Sequence, residues 1–201
     1  MPLDLSAPQF ASIAELEREA LACTRCALAE GRTQVVFGSG DPDADLMFVG
    51  EGPGEQEDLQ GLPFVGRAGG LLTKLIEGIG RTRDDVYIAN VVKCRPPGNR
   101  DPLPAEIDSC RPWLAAQLGF VRPRVLVTLG NFATKLLLET KEGITRLRGR
   151  EFPFGDAVLV PTLHPSAVLR SGGTSLAQSR ADFVVIKRAL ARTAAASGAV
   201  R

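Results

Sequence analysis

Apolar residues fall along this chain in short unbroken runs separated by longer amphipathic stretches. Asp45 to Val49, Val86 to Val92, Arg124 to Leu129 and Ala157 to Leu163 have the length and bounding turn residues of buried strands. Helical spacing fills the intervals at Gly66 to Ile79, Pro104 to Leu118 and Asn131 to Leu138, and a long helix from Leu176 to Ala196 follows the last strand. Upstream, Ser12-Ile13-Ala14-Glu15 has the Ser-x-x-Glu spacing through which side chains satisfy the free N–H groups of a helix start. That first helix is expected to end near Cys23.

Alternation of strand and helix predicts an α/β fold: a single domain with a central four-stranded parallel sheet and helices on both faces, because parallel strands need crossover connections. Ligands of such sheets bind beyond the carboxyl ends of the strands. The unusual residues of this chain lie there. Gly50-Glu51-Gly52-Pro53-Gly54 follows the first strand, Asn90 sits in the end of the second, Gly130-Asn131 follows the third, and His164-Pro165-Ser166 follows the fourth. The glycine-rich turn has neither the GxGxxG pattern nor the P-loop lysine, which disfavours nucleotide phosphate binding. His164 is the sole histidine, and the proline after it biases it away from helix.

With 201 residues and 44% apolar content, the chain is long enough to bury a core and reads as one domain over 1–201. Residues 1–10 and 194–201 are expected to be frayed ends. Met1 to Phe10 lacks a basic start followed by an apolar run, and no stretch approaches the roughly 18 apolar residues of a membrane span. A cytoplasmic monomer with no membrane association is expected. The formal net charge is only +1, but residues 143–201 hold nine Lys/Arg against three Asp/Glu. Such a bias suits either a solvated helix face or a patch facing phosphates.

The four cysteines, Cys23, Cys26, Cys94 and Cys110, are not expected to form disulfides in a chain of this size without an export signal. One Cys-x-x-Cys pair plus two single cysteines, with 15 residues between them, fits a four-thiolate iron–sulfur cluster somewhat better than a zinc site built of two close pairs. Spacing alone leaves both open. Either would order the proline-, glycine- and arginine-rich stretch between Cys94 and Pro104.

Read together, Gly50 to Asp58, Gly61-Leu62-Pro63-Phe64-Val65-Gly66, Asn90 and His164 to Arg170 resemble the family 4 uracil-DNA glycosylases, and the four cysteines match that family's cluster ligands in order and spacing. The resemblance spans roughly residues 20 to 190. It implies a [4Fe–4S] cluster and hydrolysis of the bond joining uracil to deoxyribose, the opening step of base excision repair, on uracil-containing DNA. Within it, Asn90 would read the edge of the base, Phe64 would stack on it, and Glu57 or its neighbour Glu55 would crowd the C5 position where thymine carries a methyl. His164 would donate to uracil O2 as charge builds there. Gly52 stands where better-known members of the superfamily carry a water-activating aspartate, so Glu51 is the carboxylate left to orient water or stabilise the sugar cation. Ser166 and Arg170 would meet phosphates, and Val168 or Leu169 would fill the gap left by the extruded base. With no second histidine, covalent trapping of product is not expected. The rivals are a non-excising DNA-binding or polymerase-associated module of the same fold, and an iron–sulfur electron carrier.

Overall fold

A computed structural model describes residues 10–198. The four expected strands are present as β2 (Leu46–Gly50), β3 (Tyr87–Asn90), β4 (Val125–Leu129) and β6 (Ala157–Thr162). They pair in parallel, but they are not the whole sheet. β1 (Ser39–Gly40) and β5 (Phe152–Phe154) add antiparallel edges, giving a six-stranded order β1-β3-β2-β4-β6-β5. Both additions are too short to carry a periodic signal, and β5 contains Pro153, which an edge strand tolerates because its N–H side can face outward.

Alternation within the strands separates two apolar layers. Met47 and Val49 of β2, Ala89 of β3 and Leu126 of β4 face a core shared with α1 (Ile13–Leu21), α5 (Pro104–Val121) and α6 (Asn131–Leu138). Leu46 and Phe48, Ile88, Val125 and Val127 face the opposite core with α4 (Arg67–Gly78) and α9 (Gly173–Gly198). Because both faces are covered, the central strands read as unbroken apolar runs. Phe48, fully buried, stacks on Phe183 of α9 with ring centroids 5.8 Å apart.

The remaining helices are short: α2 (Leu28–Gly31), α3 (Glu55–Gln60), α7 (Ile144–Leu147) and α8 (Pro165–Ser171). At the start of α1 the Ser12 hydroxyl accepts from the Glu15 N–H, while the Glu15 carboxylate accepts from the Ala11 N–H rather than that of Ser12. The last helix begins earlier than expected and ends at Gly198, inside the stretch expected to fray. Of the expected frayed ends, residues 1–9 and 199–201 lie outside the described residues. Among the described residues no helix is long and apolar enough to cross a membrane.

Phe48→Ala is expected to lower the unfolding free energy by about 3–5 kcal/mol, since it opens a cavity where sheet and α9 meet. Urea denaturation followed by circular dichroism measures it; a loss below about 1 kcal/mol would mean that this layer is not the tightly packed one described.

Candidate active site

At the carboxyl ends of the parallel strands lies a cleft of about 490 Å³. Where β2 and β3 finish, Gly50 pairs with Asn90, and the chains then leave the sheet together, with Val91 N–H donating to Gly50 O at 2.9 Å. Asn90 is 1% exposed, and among the described residues its Oδ1 has no hydrogen-bond partner. Leaving a buried amide oxygen unpaired costs free energy comparable to a lost hydrogen bond, so this atom is open to a donor from a bound group. A Cβ on residue 50 would lie 2.4 Å from that oxygen and 2.6 Å from the Phe64 ring, so only glycine admits both groups.

Asn90 is held from behind by a buried polar network. Lys93, 1% exposed, donates from Nζ to Asn90 O at 2.8 Å and to Gln117 Oε1. Gln117 in turn donates from Nε2 to Phe37 O at 2.9 Å and to the Tyr87 hydroxyl at 3.2 Å.

Phe64 forms the opposite wall, its ring centroid 5.7 Å from that of His164. The loop carrying it is organised by Glu57. One carboxylate oxygen accepts from the Val65 and Gly66 N–H groups at 3.0 and 3.1 Å, and the other accepts from Gly54 N–H at 3.1 Å. Glu57 therefore lines the cleft with both oxygens engaged, while Glu55, exposed and 3.8 Å from Arg95, does not line it. Gly52 also lines the cleft, and a Cβ there would press to 2.6 Å from Val92.

His164 caps the start of α8, extended as the following proline requires. Its Nδ1 accepts from the Ser166 N–H at 3.2 Å and contacts the Ser166 hydroxyl at 2.7 Å. A backbone N–H can only donate, so Nδ1 is the bare nitrogen and the proton of the neutral ring resides on Nε2. Burial, then the charge of Arg170, pulls this imidazole down to about 4, which keeps it neutral at physiological pH. Burial and, less strongly, the charge of Asp101 push the Glu51 carboxyl in the opposite direction, up to about 7.

The structure separates the two apolar residues of the last loop. Val168 is 2% exposed and packs inward, whereas Leu169 is 43% exposed. Ser166 and Arg170 line the cleft. One wall was not legible: Asn99 to Pro102, contributed by the stretch that follows Cys94, with Arg100 fixed by two hydrogen bonds of 2.6 and 2.9 Å to the buried Glu106. Its rank in the sequence as a charged, proline-rich connector gave no hint of that pairing.

All four cysteines are free and line one small cavity between the end of α1, the segment after β3, and α5. Three of the sulfurs already receive N–H donors: Cys110 from Lys93 N at 3.2 Å, Cys23 from Trp113 Nε1 at 3.3 Å, and Cys94 from Arg32 Nη1 at 3.4 Å. Donors of this kind stabilise thiolates. Burial pushes the Cys110 thiol up to about 11, so ionising it calls for a nearby cationic centre. Among the described residues no three His, Cys, Asp or Glu converge closely enough to hold a single metal ion. Four thiols ringing one cavity suit a polynuclear group.

Comparison with known proteins agrees with this geometry. Residues 37–191 match the model of the uracil DNA glycosylase superfamily. The chain is 45% identical over 167 residues to the type-4 uracil-DNA glycosylase of Sulfurisphaera tokodaii, covering 79% of this chain and 76% of that one. It is 49% identical over 156 residues to the type-4 uracil-DNA glycosylase of Thermotoga maritima, covering 77% and 81%. Against the corresponding protein of Archaeoglobus fulgidus it is 44% identical over 166 residues, covering 79% and 83%. With its strand-end cleft, its four thiols and these matches, the chain belongs to the uracil DNA glycosylase superfamily, in the type-4 group.

Proposed function

We propose that this chain hydrolyses the N-glycosidic bond between uracil and deoxyribose in DNA, opening base excision repair. The observation that carries the reading is the buried Oδ1 of Asn90, without a partner among the described residues, in the cleft that Phe64 and His164 also line. A flipped uracil offers N3–H to that oxygen and O4 to the amide nitrogen of the same side chain. Cytosine presents the reverse at both atoms and would leave two buried groups unpaired, which is how a polar pocket rejects a near-isostere strongly. Phe64 stacks on the base, and Glu57 shapes the C5 side by holding the loop on which Phe64 sits.

Bond cleavage leaves positive charge on the sugar and negative charge on the departing uracil. His164, neutral with its proton on Nε2, donates to O2 as that charge develops, a contribution of about 3 kcal/mol if it acts like a single oxyanion donor. Ser166 keeps the ring in this tautomer. Glu51, once ionised, stabilises the sugar cation or orients the attacking water, and Gly52 supplies no side chain that could do so instead. Arg170 meets phosphate, and Leu169, the exposed member of its pair, fills the vacated space in the duplex. The substrate is uracil-containing DNA, single- or double-stranded, met by a monomer; free thiols suit a cytoplasmic setting.

Cys23, Cys26, Cys94 and Cys110 are proposed to hold a [4Fe–4S] cluster. When bound, the cluster supplies a multivalent cross-link and a one-electron centre. The chain's own part is to present the thiols, direct three N–H groups at their sulfurs, and use the segment from Cys94 to Cys110 to carry a wall of the cleft.

An oligonucleotide with a single uracil should acquire an alkali-labile site on incubation with the protein; an intact strand, from protein retaining its iron, would refute excision. His164→Ala is expected to slow excision by roughly 100-fold or more while DNA affinity changes little. Equal losses in both would assign the histidine a structural part.

For Glu51, the folded pKa of about 7 lies above the ordinary 4.5, so the stability cost of its charge is absent below about pH 4.5 and grows as pH rises toward 7. Glu51→Gln should therefore stabilise the fold at pH 8 but not at pH 4, and should remove a rise in excision rate centred near pH 7. An unchanged pH profile in the variant would release Glu51 from the mechanism.

Cys94→Ala should cost most of the bound iron and its visible absorbance, and speed proteolysis between residues 95 and 103. Full iron content would remove Cys94 from the ligand set.

A further inference from the structure

Phe64 holds its place against its own backbone. Its φ is 54°, in the left-handed region that a bulky side chain enters only when the surroundings over-determine it. Two features impose this. From α4, Gly69 presses so close that a Cβ there would fall 1.8 Å from Phe64 O. From the other side, Arg83 donates from Nη2 to Pro63 O at 2.7 Å and from Nη1 to Phe64 O at 3.1 Å. The same Nη1 reaches Thr73 Oγ1 on α4 at 3.5 Å.

Arg83 lies in the 3-10 turn Arg83–Asp85, which leads directly into β3, the strand that ends at Asn90. That turn is itself pinned, Asp85 Oδ2 accepting from Thr82 N–H at 2.7 Å and from its hydroxyl at 2.8 Å. One short run of chain thus carries the amide on one wall of the cleft and the clamp on the loop that forms the other.

We infer that Arg83 is a positioning residue for uracil recognition: its guanidinium, bridging the carbonyls of Pro63 and Phe64, fixes the Phe64 ring at the stacking distance from the base that Asn90 reads. Arg83 itself is absent from the cleft lining, so it acts through Phe64 and not on the base. The fork geometry matters. Two consecutive carbonyls diverge, and a planar guanidinium offers two nitrogens in fixed relation, whereas the single nitrogen of a lysine satisfies one carbonyl and releases the other. The loop would then relax toward ordinary φ, and the ring would leave its seat above Gly50.

The inference rests on the reading that Phe64 stacks on the base, and a double-mutant cycle tells the two apart. Excision of uracil from a short oligonucleotide is measured under single-turnover conditions for Phe64→Ala, Arg83→Lys and the double variant. Phe64→Ala is expected to slow the step by about 30-fold, Arg83→Lys by about 10-fold, and the double variant by no more than about twofold beyond Phe64→Ala alone. Free uracil, as product inhibitor, should bind Arg83→Lys about 10-fold more weakly, while affinity for uracil-free DNA stays within about twofold. Lysine keeps the charge and one donor, so the variant is expected to fold, which its thermal melting checks. Losses that multiply in the double variant, or uracil and DNA affinities that fall together, would overturn the positioning part assigned to Arg83. A Phe64→Ala variant with full activity would instead overturn the stacking reading, and the inference with it.

Discussion

The cleft depends on a carbon atom that is absent. Gly50 ends its strand under both the Asn90 amide and the Phe64 ring, and any side chain there would occupy the space that those two groups share. Strand pairing fixes Gly50 beside Asn90, so the approach of the two walls follows from the register of the sheet. A parallel sheet buried on both faces makes that register hard to slip, since a one-residue shift would exchange its two apolar layers. Precision at the cleft is inherited from the core.

A second dependence runs between the two sites. Lys93 spans them within one residue: its N–H is given to the sulfur of Cys110, and its ammonium holds the carbonyl of Asn90. Gln117, on the same helix as Cys110, completes the contact. A buried network of this kind keeps its geometry only while every member is satisfied. The thiol cavity and the end of β3 are thus joined through Lys93 by a short chain of bonds.

Much of this was legible in the pattern of residues. The four central strands and the main helices followed from apolar runs, and the places of Asn90 at the end of a strand and of His164 just beyond one were readable in the same runs. What escaped was of two kinds. β1 and β5 are too short to show a period, and Pro153 argues against a strand unless the strand is known to be an edge. Contacts between distant polar residues escaped as well. Nothing in the neighbourhood of Arg83 distinguishes it from a solvated loop charge, and its use depends on where the loop 20 residues earlier is folded back. That Val168 is buried and Leu169 exposed depends on which way one turn of helix faces, and residues adjacent in sequence give no advance sign of that. The spacing of the cysteines drew attention to them, while the donors that serve their sulfurs, Arg32 and Trp113 among them, come from segments with no common motif.

The chain contains one tryptophan and one histidine. Trp113 gives its indole N–H to Cys23 at the thiol cavity, and His164 stands in the cleft. Each site thus carries an intrinsic spectroscopic reporter free of overlap from any other residue of its type. Indole emission is therefore a probe placed at the thiol cavity and the imidazole proton resonances a probe placed in the cleft, so the two sites can be addressed separately in one unlabelled sample.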